Sequence, residues 1–176
     1  MTEESSAQSK WPMVLGTLGV VLGALMILDT LDDLLFQLSW NEEDWAGWVG
    51  ADLARSIVVS MPPFAWAFLS AVVQICLGAY LVAGSLRLRR RQASGIEMCR
   101  TWAKVTVAWV IVSMGLALWW IGRFAGDIAG VTQAQVDSAA AWGVALAAVF
   151  LLAYPLFLLY WISKDAIQSE TAAWAQ

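Results

Sequence analysis

Histidine is absent from this chain, cysteine occurs twice, and charged residues fill only 14% of its 176 positions. The first absence removes the commonest metal ligand and the commonest acid–base group near neutral pH. Two cysteines make no disulfide framework. Cys76 lies in a long apolar run, where a small buried hydrophobe is expected, and Cys99 lies in a basic stretch that a cytoplasmic setting keeps reduced. The scarcity of charge excludes an ordinary water-facing surface, which takes about a quarter charged residues. No basic domain points to nucleic acid, and no motif points to a cofactor.

What the chain does have is apolar length and tryptophan. Sixty per cent of its residues are hydrophobic, mean hydropathy is +0.67, and there are twelve Trp. Trp collects where membrane meets water. The long apolar runs predict an all-α membrane protein, an antiparallel four-helix transmembrane bundle with spans near 12–36, 62–86, 104–123 and 138–163. A disordered cytoplasmic tail at 1–10, a membrane domain at 11–164 and a cytoplasmic tail at 165–176 complete the expected organisation.

The stretch from Leu86 to Lys104 fixes the orientation. It carries Arg87, Arg89, Arg90, Arg91, Arg100 and Lys104, six of the ten basic residues. Lys and Arg gather in cytoplasmic loops, so this charged hairpin is placed inside, together with both termini. Lys10 and Lys164 then fall on the same side, leaving only Arg55 and Arg123 outside. The Arg87, Arg89, Arg90 and Arg91 cluster is a candidate for anionic lipid headgroups, and plain topology determination accounts for it equally well.

The remaining features follow in chain order. Trp11 to Leu28 is uncharged, and its acidic leader and lack of a small-residue cleavage site mark an uncleaved first span. Gly16, Gly19 and Gly23 include one GxxxG pair, expected to pack within the protein's own bundle. Asp29, Asp32 and Asp33 share one helical face and are the candidate metal ligands, since clustered carboxylates attract hard cations. The alternative is a solvated helix end. The glycine and distal aspartates of the CDP-alcohol phosphotransferase motif do not follow.

In the first outer loop, Asn41 and the acids Glu42, Glu43 and Asp44 read as a helix start. Trp45, Trp48, Val49, Leu53 and Ile57 then form an apolar stripe. A short amphipathic helix on the outer leaflet is expected there, anchored by Trp45 and Trp48. Pro62 and Pro63 open the second span, and Gln74 near its middle should seek a partner on a neighbouring helix. Trp102 and the pair Trp119 and Trp120 are expected as aromatic belts at the two ends of the third span. Arg123 ends that span, within reach of acids such as Asp29 and Asp127. Asp137 or Ser138 caps an alanine-rich fourth span, which Pro155 should kink.

The ending, with Tyr154, Pro155, Trp161 and Lys164, resembles the last span of small bacterial inner-membrane proteins. That resemblance covers about an eighth of the chain. It implies a multi-pass protein of the bacterial cell membrane and no activity. Trp161 is the expected inner interface anchor.

Three functions are compatible with these residues. The favoured one is a non-enzymatic bundle, self-associating into a homo-oligomer or serving as accessory subunit of a larger membrane complex. A small oligomeric channel or carrier is the second. A lipid-modifying enzyme using Asp29, Asp32 and Asp33 is the third.

Overall fold

A backbone that leaves water must satisfy its own N–H and C=O groups, and an apolar run does this by coiling into helix. The computed structural model describes residues 9–39, 47, 64–124 and 132–175. Among them the regular elements are helical: α1 (Trp11–Ser39), α2 (Phe64–Arg89), α3 (Ala93–Phe124), α4 (Gln133–Ile162) and the short α5 (Asp165–Ala172), which runs into a 3-10 turn at Ala173–Ala175. Four helices are long and apolar enough to cross a membrane. They are α1, α2, the Ala93–Trp120 part of α3 and the Ala141–Ile162 part of α4, with mean hydropathy from 1.6 to 2.2. The expected amphipathic helix, with Trp45 and Trp48, lies outside the described residues, as do Pro62, Pro63 and the tail at 1–8.

Glycine sets the closest helix contact. A side chain on Gly23 would meet the Gly78 carbonyl oxygen and Val82 Cγ2, each at 2.8 Å, and one on Gly78 would meet Ile27 Cγ1 at 2.8 Å. Nearer the start of α1, Gly19 faces Ser85 and Tyr154, while Gly16 faces Ser85 and Arg89. Rising numbers on α1 thus meet falling numbers on α2, so this pair runs in opposite directions. The GxxxG pair is used inside the chain, where the missing side chains let two backbones approach.

The basic stretch is not a loop. α2 continues to Arg89 and α3 begins at Ala93, leaving only a tight turn between them. Gln92 N–H bonds the Arg87 carbonyl at 3.0 Å and Arg91 N–H bonds that of Leu88 at 2.9 Å, with Arg91 at φ 54°. This is the paired closure of a helix end around one left-handed residue. Arg in that conformation costs roughly 1–2 kcal/mol relative to an ordinary helical φ. The Arg91 guanidinium donates to the Ser9 carbonyl at 2.7 Å, which ties the turn to the start of α1. Gly95 lies against the backbone of Arg87 and Leu88, where any side chain would collide.

Packing is concentrated toward the end of the helices where this turn lies. Leu15, Leu77, Leu81, Leu88, Ile96, Cys99, Trp102, Ala103, Leu158 and Ile162 make one continuous core. Each helix packs mainly on its sequence neighbours, α1 on α2, α2 on α3 and α3 on α4. Toward the other end α3 and α4 expose large apolar side chains, including Trp119, Trp142 and Phe150.

Two expectations are corrected. Cys99 is buried in this core, at 1% exposure, whereas Cys76 is exposed on α2. A span facing lipid is apolar all round, so hydropathy does not tell its inner face from its outer one. For the same reason Trp102 is not a belt residue: it is 3% exposed and packs against Tyr154 with ring centroids 5.8 Å apart. Pro155 sits within a continuous α4, one residue after Tyr154, whose hydroxyl donates to the Leu15 carbonyl at 3.5 Å.

The segment after α4 folds back. Trp174 stacks on Trp11 at 5.5 Å with 20° between planes, and Trp11 Nε1 donates to the Glu170 carboxylate at 2.7 Å. Ile167 is buried beneath α5. The segment up to Trp174 therefore closes over the beginning of α1.

Candidate functional site

Two places on the molecule gather polar chemistry. The first is the basic end. Arg100 is paired with Glu97 at 2.9 Å one helical turn away, and Arg91 is committed to Ser9. Arg87, Arg89, Arg90 and Lys104 are exposed. Among the described residues these four form no salt bridge. The stem of Arg89 passes over Gly16 before its charged head reaches solvent, as a long cation at a membrane edge does. Lys164 lies 4.8 Å from the Tyr160 ring and 4.6 Å from the Trp161 ring, a cation–π pair at the end of α4. These free cations make an anion-attracting surface without a closed pocket.

The second place is a groove between α1 and α2, on the far side of the Gly23–Gly78 contact. It is an open groove of about 130 Å³ lined by Thr30, Asp33, Leu34 and Gln37 of α1 and by Trp66, Ala67, Ser70, Ala71 and Gln74 of α2. Helical spacing explains the set. Thr30, Asp33 and Gln37 recur three and four residues apart and share a face, as do Ser70 and Gln74. Thr30 is 5% exposed and donates to its own helix at the Met26 carbonyl, 2.7 Å away. Its hydroxyl lies 3.4 Å from Gln74 Oε1, and Gln74 Nε2 lies 3.5 Å from Ser70 Oγ. Gln74 thus meets α1 as its mid-span position required. Both contacts exceed good hydrogen-bond distance, so the amide keeps capacity for another group. Trp66 closes one wall, stacked on Trp109 of α3 at 6.0 Å.

The acidic triad does not line one site. Asp29, Asp32 and Asp33 are all exposed, and only Asp33 lines the groove. Among the described residues no group of three or more His, Cys, Asp or Glu comes together in a way that could hold a metal ion. Of the expected interface anchors, Trp119 is exposed with its ring tilted against Trp120 at 6.1 Å, and Trp161 is half-buried against Phe157. The side chains of Arg123 and Asp137 and the whole of Asp127 lie outside what the structure describes.

Sequence reading named Gln74 and Asp33 separately and missed Thr30, Gln37, Ser70 and Trp66 as their neighbours. The available signal was the continuation of the aspartate face as polar residues in helical register, opposite a second polar pair on the next span. Comparison with known protein families, with curated proteins and with solved structures finds no match. Four apolar helices are compatible with a multi-pass membrane protein, and that class is as far as the fold itself carries.

Proposed function

We propose that the protein is a non-enzymatic four-span bundle of the cell membrane, its spans alternating in direction and both termini cytoplasmic, that acts by associating with its own copies or as accessory subunit of a membrane complex. One observation carries this reading. α4 packs at its inner end through Leu158 and Ile162, whereas Trp142, Leu146, Val149 and Phe150 project with little internal cover, Phe150 being 79% exposed. In lipid such a surface is solvated by acyl chains. Its alanines, Ala141 and Ala145, also allow a neighbouring helix to come close. The free cations Arg87, Arg89, Arg90 and Lys104 are suited to the anionic inner leaflet, at about 1 kcal/mol per basic residue near the surface.

Purification in a gentle detergent followed by native mass spectrometry tests the proposal. A defined oligomer, or a second polypeptide in fixed ratio, is the expected result. A monomer without either, both in detergent and after crosslinking in the membrane, contradicts it.

A further inference from the structure

The groove between α1 and α2 has no part in that association surface, and it raises a separate question. A carboxylate, two amides and two hydroxyls lie together between two long, mostly apolar helices. An ionisable group on a long, mostly apolar helix often marks a functional path or site. Packing does not require this set. Thr30 is satisfied by Met26, and Gln74 makes only long contacts.

We propose that this groove binds a small organic ammonium group, a primary amine such as the ethanolamine headgroup of a phospholipid or the free amine. The lining selects the sign of the charge, because it holds one carboxylate, Asp33, and no Lys or Arg. Anions are thereby disfavoured. It also selects an organic cation over a bare metal ion. Ca²⁺ takes roughly 6–8 oxygen ligands with several carboxylates among them, and one wall here is the Trp66 ring and another is Ala67 and Ala71. An ammonium can use both kinds of wall, bonding to Asp33 and the side-chain oxygens of Gln37 and Gln74 while its methylenes and charge lie against the indole. A volume of about 130 Å³ admits a headgroup of this size. The groove is open on one side, so the rest of a lipid can remain in the bilayer.

Native mass spectrometry of the full chain in detergent, with phosphatidylethanolamine and phosphatidylglycerol added at equal concentration, tests the assignment. A second arm measures thermal stabilisation by ethanolamine alone. Wild type is expected to retain the ethanolamine lipid, or to be stabilised by the free amine, and the lipid preference should be about fivefold or more. Asp33→Asn should abolish the effect, whereas Asp32→Asn, one residue away and outside the groove, should leave it unchanged. Asp33 is exposed, so the isosteric change does not threaten folding. Stabilisation by ethanolamine in solution identifies a free-amine site, and lipid retention without it identifies a headgroup site. Equal retention of both lipids with no ethanolamine effect overturns the proposal, as does an equal loss in Asp33→Asn and Asp32→Asn.

Discussion

Adding one methyl group at Gly23 should weaken the protein, while the same methyl at Gly115 or Gly143 should strengthen it. In Gly23→Ala the new carbon would sit 2.8 Å from the Gly78 carbonyl oxygen and 2.8 Å from Val82 Cγ2, where ordinary contact begins at 3.4 Å. α1 and α2 must part by roughly 0.6 Å to admit it, and gaps of that size forfeit about a quarter to a half of each contact's attraction. Overpacking of this kind costs about 1–3 kcal/mol. Ala is the better helix former by about 0.8–1 kcal/mol, so the net loss should be ~1 kcal/mol. At Gly115 of α3 and Gly143 of α4 a side chain would meet nothing within 4 Å. Only the helix-forming gain remains there, up to about 1 kcal/mol. Reversible unfolding of micellar protein by SDS, followed by helical circular dichroism, measures all three. Equal shifts of one sign at Gly23 and Gly115 would refute the packing argument.

Gln74→Leu should change unfolding stability by no more than about 0.6 kcal/mol, since its two contacts are long; the same SDS titration checks this, and a loss above about 2 kcal/mol would mean the groove holds the helices together. Trp11→Phe keeps an aromatic ring against Trp174 but removes the bond to Glu170, a charge-assisted bond of about 1.5–3 kcal/mol. Hydrogen exchange should then quicken in α5 and leave the four long helices unchanged; unchanged protection of α5 would show that the bond does not hold it.

The sequence revealed the long helices because apolar runs of span length have few other uses. It was less informative about their faces. Cys76, expected in the core, is exposed, and Trp102 left the expected belt for the core, because a lipid-facing surface and a buried one have the same composition. The basic stretch from Leu86 to Lys104 read as a loop by charge alone. Arg is a good helix former, so charge marked where the apolar layer ends without marking where the helix ends. The groove was legible only in halves. Asp33 with Thr30 and Gln37, and Gln74 with Ser70, become one site only when α1 and α2 are laid side by side. The return of Trp174 onto Trp11 joins residues at opposite ends of the chain, and no local pattern announces such a pairing.

Single-cysteine accessibility in intact cells tests the central claim, four membrane crossings with the Arg91 turn inside. In a chain lacking Cys76 and Cys99, Ser94→Cys and Thr132→Cys each place a thiol at an exposed position, beside that turn and just before α4 respectively. A membrane-impermeant maleimide should label Thr132→Cys in intact cells and Ser94→Cys only after the membrane is opened. Labelling of Ser94→Cys in intact cells, or recovery of the chain in the soluble fraction, would contradict the account.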